Sequence, residues 1–116
     1  MKQEFPHNWY TEFAAAITIC DKDGSILYMN DASKEQFKDE GGETLQGTNV
    51  LDCHPEPSKT KLKRLIDNKG ENMYTTEKIG RKKFIYQGPW IESGEYMGII
   101  EISFDLPADI KHIVRL

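Results

Sequence analysis

The tetrapeptide Asp21-Lys22-Asp23-Gly24 constrains the chain most. It separates two short apolar runs, Ala16 to Cys20, with Ile17, Thr18 and Ile19, and Ser25 to Met29. Aspartate bonds back onto its own backbone and glycine takes positive φ at no steric cost, so the tetrapeptide predicts a turn and the runs predict a β-hairpin. A lone hairpin is marginal in water. The rest of the chain must therefore supply more sheet and something to cover it.

Three later runs read as strands: Met73 to Ile79, Lys82 to Ile91 and Tyr96 to Phe104, separated by Gly80-Arg81 and by Glu92-Ser93-Gly94-Glu95. Pro89 and Trp90 mark an edge or a bulge in the second of them, because proline donates nothing to a ladder. Before these runs, Asn30 or Asp31 caps a short helix that ends by Gly41-Gly42, and the interval to Pro57 holds single helical turns. From Pro57 or Ser58 to Lys69 a longer helix carries Leu62, Leu65 and Ile66 on one face, and Gly70 ends it. At the chain ends, Asn8 predicts a capped helix over Trp9 to Ala15, and Pro107 opens an amphipathic stripe of Ile110, Ile113 and Val114. The expected architecture is α+β: a five-stranded antiparallel sheet with short helices and one longer helix on one face, plus N- and C-terminal flanking helices. Residues 1–13 form the N-terminal flank, 14–107 the domain and 108–116 the start of the C-terminal helix.

A chain of 116 residues holds one such domain. Its 15 Lys and Arg against 19 Asp and Glu, a formal charge of −4, argue against nucleic acid as a partner. No apolar run approaches the ~20 residues of a membrane span and the first residues carry no signal-peptide stretch, so a cytoplasmic domain without membrane contact is expected. Cys20 and Cys53 lie in unrelated segments and read as reduced thiols. A glycine-rich phosphate loop, a nucleophile elbow, a metalloprotease helix and convincingly spaced paired carboxylates are all missing, so no enzyme is expected. The basic residues Lys59, Lys61, Lys63 and Arg64, and Arg81-Lys82-Lys83, suit an anion or a partner, although a solvated face is the commoner meaning.

Hairpin, small helices, longer helix and three strands, in that order, resemble a PAS domain, the sensory module of bacterial signalling proteins. The carrying residues are Asp21 to Ile26 followed by Tyr28-Met29-Asn30, the Gly47-Thr48-Asn49-Val50-Leu51-Asp52 stretch, the Gly94-Glu95-Tyr96-Met97-Gly98 hairpin and the exit at Asp105-Leu106-Pro107. Cys53-His54-Pro55 resembles a subgroup with a Cys-His-Pro element before the long helix. The resemblance implies a sensor that binds a small ligand or cofactor and transmits its state through flanking helices and dimerisation. Its output would be a continuation of the chain or a partner, such as a histidine kinase of a two-component system, a cyclic-dinucleotide enzyme or a transcription regulator. A ligand-free interaction module, dimerising as a homodimer, is the alternative. The cofactor stays unknown: haem and flavin occur in the family, and neither is favoured here. Photosensory members carry a cysteine directly after the Asn of the Gly-x-Asn stretch, where this chain has Val50.

Seven residues are candidates for ligand contact: Cys53, His54, Tyr74, Tyr86, Gln87, Glu101 and Ser103. Imidazole titrates near neutrality and binds metals, yet His54 equally suits a hydrogen bond to the loop backbone. Cys53 reads as a packed thiol rather than a ligand, and no metal set assembles from the spacing. Strand alternation puts Ile99, Glu101 and Ser103 on one face and Ile100, Ile102 and Phe104 on the other. By analogy with flavin-binding members, the Ser103 face points at the ligand cavity, where Tyr74, Tyr86 and Gln87 could partner Glu101. A solvent-facing ion pair is the other reading of Glu101. Trp9, Tyr10 and Phe13, with Ile100, Ile102 and Phe104, are the candidate dimer interface.

Overall fold

The computed structural model describes residues 8–116. Strands β1 (Ala16–Asp21) and β2 (Ile26–Met29) form the predicted hairpin. Asp21 Oδ1 accepts hydrogen bonds from the backbone amides of Asp23 and Ser25, both at 2.9 Å, and Gly24 sits at φ +90°. A Cβ on Gly24 would also stand 2.8 Å from Asn49 Oδ1, so both conformation and space require glycine there. Helix α1 (Asp31–Gln36) follows, capped by Asn30. Single 3₁₀ turns at Lys38–Glu40, Gly42–Leu45 and Val50–Cys53 lead to helix α2 (Ser58–Asp67). The last three strands are β3 (Asn72–Lys78), β4 (Arg81–Glu92) and β5 (Glu95–Leu106).

The five strands pair antiparallel in the order β2-β1-β5-β4-β3, so the last strand joins the early hairpin to the late meander. The β1 and β5 backbones run close where Asp21 faces Gly98, and a Cβ at Gly98 would collide with the Cys20 carbonyl oxygen. Pro89 lies past the end of β3, whose first residue, Asn72, pairs with Gln87, and the β4–β5 register slips between Trp90 and Ile91. The bulge expected at Pro89-Trp90 is thus present.

Register assigns the faces. Thr18, Glu101, Gln87 and Asn72 lie in one row across β1, β5, β4 and β3, on the inner face toward the helices. Ile19, Ile100 and Gly88, and Ile17, Ile102, Tyr86 and Met73, form rows on the outer face. The core joins Cys20, Ile26, Met29 and Ile99 to Leu62 and Ile66 of α2, with Phe37, Leu45, Val50, Leu51 and Leu65 around them. Each fully buried Leu or Ile contributes ~1.5–3 kcal/mol. Leu62 and Ile66 therefore decide where α2 lies, and they seat it over the β1–β2–β5 half of the sheet. Its end is pinned by Tyr96, whose hydroxyl donates to the Ile66 carbonyl at 2.6 Å while Lys69 lies 5.4 Å from the Tyr96 ring centroid.

Both flanking helices need correction. Residues 8–12 form turns, with the Thr11 amide bonded to the Asn8 carbonyl and that of Phe13 to the Tyr10 carbonyl. The cause is competition for acceptors: the Tyr10 and Ala15 carbonyls accept from Asn30 Nδ2, and the Thr11 carbonyl accepts from the Asp31 amide. The part of that flank before residue 8 lies outside the described residues. Residues 107–116 form no helix, and Ile110, Ile113 and Val114 are 62%, 69% and 72% exposed. With nothing to bury its stripe against, a helix so short is not stable on its own.

Candidate functional site

Because the apolar stripe of α2 occupies the β1–β2–β5 half of the inner face, its polar side overhangs the β3–β4 half without closing on it. An open cleft of about 630 Å³ results, within the usual size range of ligand sites. Lys61, Arg64 and Asn68 line it from α2, and Asn72, Tyr74 and Gln87 line it from the sheet. His54 closes one end from the loop before α2, and Glu71 stands at the start of β3.

Three sequence candidates, His54, Tyr74 and Gln87, thus meet in one cleft, and a fourth is joined to them. Glu101 neighbours Gln87 across β4–β5, and Gln87 Nε2 donates to its Oε1 at 3.2 Å. Among the described residues Glu101 makes no ion pair with a Lys, Arg or His; it stands behind Gln87 rather than in the cleft lining. Burial pushes the Glu101 carboxyl above the usual carboxylate range, while the Gln87 hydrogen bond and nearby His54 pull the other way. Burial, with Glu101 second, also raises the Tyr74 phenol. His54 makes the predicted backbone contact, its Nδ1 lying 2.7 Å from the Val50 carbonyl. A carbonyl only accepts, so Nδ1 carries the hydrogen in this bond.

The other three candidates fall elsewhere. Tyr86 alternates to the outer face, over Gly88, and its hydroxyl donates to Glu71 Oε2 at 2.6 Å. Ser103 is on the inner face as expected, but it lies under α1, where its Oγ donates to Gln36 Oε1 at 2.8 Å, and it does not line the cleft. Cys53 is exposed, not packed, with Sγ 3.8 Å from the Asn49 carbonyl oxygen. It ends the Val50–Cys53 3₁₀ turn, which carries it outward while Val50 and Leu51 turn to the core. Asn68, Asn72, Lys61 and Arg64 are cleft residues that sequence reasoning did not place there. Asn72 is two residues before Tyr74 on the same strand face, and Lys61, Arg64 and Asn68 share a helical side at spacings of three and four. Both signals were present in the sequence.

The two thiols make opposite chemistry. Cys20 is buried beside Ile99, and burial, then Glu101 and Asp21, push its thiol up to about 12. With a disulfide reagent at pH 8, Cys53 should react at once and Cys20 only after denaturation. Two equally fast thiols would contradict the burial of Cys20.

Among the described residues, no group of three or more His, Cys, Asp and Glu is placed to hold a metal ion. No helix among them is long and apolar enough to cross a membrane.

A five-stranded antiparallel sheet in this order, with short helices and a longer helix over one face, is the PAS fold. Solved structures bear this out. A C-terminal domain from Streptococcus mutans superposes with a TM-score of 0.67 at 19% identity, over 90% of this chain and 92% of that one. The PAS domain of the histidine kinase ThkA gives 0.61 at 22% identity, over 78% and 98%. The PAS domain of BvgS from Bordetella pertussis gives 0.63 at 18% identity, over 84% and 80%. No family model matches the sequence, and no curated protein matches it.

Proposed function

We propose that this chain is a sensory domain that binds a small ligand in the α2 cleft and passes its occupied state to an output domain or partner, as in bacterial signal transduction. The observation that carries this reading is the cleft itself. It lies between the sheet and a helix seated by only two fully buried side chains, Leu62 and Ile66, and it is lined by His54, Tyr74 and Gln87 with Glu101 behind. A ligand that binds one placement of α2 better than another shifts the balance between them by its difference in affinity. The β4–β5 pairs beside the cleft run out to Leu106, which leads into the C-terminal segment. The PAS neighbours from histidine kinases favour an output of that kind, although fold alone does not fix function. Binding without catalysis is part of the same reading.

A second reading has its own observation. On the outer face Phe104, 42% exposed, stacks on Phe84 with centroids 5.4 Å apart, and Met73, Trp9 and Phe13 are also exposed. Apolar exposure of this extent suits a two-fold homodimer. Ile100 and Ile102 are half-buried on that face, whereas Tyr10 is already packed edge-on against Tyr28 within the chain. Native mass spectrometry before and after denaturation separates the readings. A released small molecule in stoichiometric amount is expected for the sensor, and doubled mass with no ligand would replace it by the interaction module.

A further inference from the structure

We propose that the cleft takes a small organic acid, its carboxylate at the Lys61 and Arg64 rim and its body against Tyr74 and Gln87. This rests on the ligand-binding reading above and adds the chemistry of the ligand.

Charge placement is the first argument. The ion pairs among the described residues are Lys38–Glu35, Lys63–Asp67, Arg81–Asp105 and Lys83–Asp105. Lys63 does not line the cleft and is paired within its own helix, while Lys61 and Arg64, which line it, take part in no ion pair among the described residues. Two cations without an ion-pair partner among the described residues, one helical turn apart, line the same cleft, and a guanidinium beside an ammonium suits a bidentate oxyanion.

The opposite wall supplies neutral polar groups. Tyr74 and Gln87 donate and accept, and behind them Glu101 holds the Gln87 amide, whose Nε2 donates to its Oε1 at 3.2 Å. The site thus grades from positive at the rim to neutral at the floor. Glu71 stands at the mouth with Tyr86 bonded to it, so a doubly charged phosphate would meet a carboxylate there, whereas two cations suffice for one. The sequence also lacks the glycine-rich loop with which backbone amides cradle phosphate. A cleft of about 630 Å³ leaves room for a body of several carbons beyond the carboxylate.

The test is an NMR titration of the isotope-labelled chain with propionate, lactate and hexanoate, each against its own amide, and with inorganic phosphate as a separate arm. At least one acid should shift the Arg64 and Gln87 side-chain signals saturably, with its amide ~10-fold weaker or worse, the loss expected when a charge-assisted bond goes. The double variant K61Q/R64Q should weaken that acid by a similar factor. If the variant fails to fold, the comparison of acid with amide on the unaltered chain decides alone. An amide that binds as well as its acid, phosphate binding more tightly than every acid, or no response to any acid overturns the proposal. In the first two cases the cleft still binds a small molecule and the sensor reading stands. No shift with any compound, together with no small molecule released in native mass spectrometry, removes both.

Discussion

Replacing Asn30 with alanine should cost ~3–5 kcal/mol, enough to leave much of a domain of ordinary stability unfolded. Asn30 is wholly buried, and its amide uses its full hydrogen-bonding capacity. Its Oδ1 accepts from the Ile17 amide at 2.9 Å and the Ser33 amide at 3.0 Å, and its Nδ2 donates to the Tyr10 and Ala15 carbonyls, both at 2.9 Å. One side chain therefore ties β1, the N-terminal turns and the cap of α1 together. Truncation removes a helix cap, worth ~1 kcal/mol, and strands several buried donors and acceptors, each costing ~1–3 kcal/mol when left unpaired. Asn30→Asp keeps the acceptors but aims a buried carboxylate at two carbonyls, and should be no milder. Urea denaturation measures both. A loss under 1 kcal/mol for the alanine variant would mean that water or relaxation replaces the network.

Much of this fold was legible because local chemistry and tertiary demand agree. The Asp21-Lys22-Asp23-Gly24 turn, the cap at Asn30 and the break at Pro89-Trp90 each stand where sequence reasoning puts them. The flanking helices failed where the two disagree: residues 9–15 have helical spacing, but their carbonyls are bonded to Asn30 and Asp31. That competition involves residues some twenty positions apart and leaves no local trace. The site was half legible for a similar reason. Strand alternation put Glu101 and Ser103 on the inner face, whereas Tyr74, Tyr86 and Gln87 were drawn in only as residues of adjacent strands; the register keeps Tyr74 and Gln87 at the cleft, sends Tyr86 outward and leaves Ser103 under α1. Lys61 and Arg64 looked like a solvated face because nothing in the spacing says that the narrow Leu62–Ile66 stripe would seat α2 to one side. Only the packing makes a cleft beneath them.

Glu101→Gln should make the protein more stable at pH 8, by ~1 kcal/mol, the scale of relieving a poorly paired, half-buried charge. Gln87 is the only side chain that donates to this carboxyl among the described residues, and burial raises its folded pKa above the usual value of 4.5. A carboxyl with a raised folded pKa binds its proton more tightly in the native state than in the unfolded one. Between the two pKa values the native state then holds more protons, so stability falls as pH rises through that window. Above the window the whole loss is present, and below the unfolded pKa it is absent. The substituted amide still offers Gln87 an acceptor and never ionises, so the variant should gain over the wild-type chain at pH 8 and lose that advantage toward pH 4. Denaturation of both at pH 4, 6 and 8 tests this, and a variant less stable at pH 8 would show that the carboxylate is held by more than Gln87. The expected gain bears on function. A side chain that costs stability at neutral pH, lies behind the cleft and has one modest hydrogen bond within the protein is better suited to a ligand than to the fold. The variant that stabilises the empty domain should therefore be the one that alters its binding.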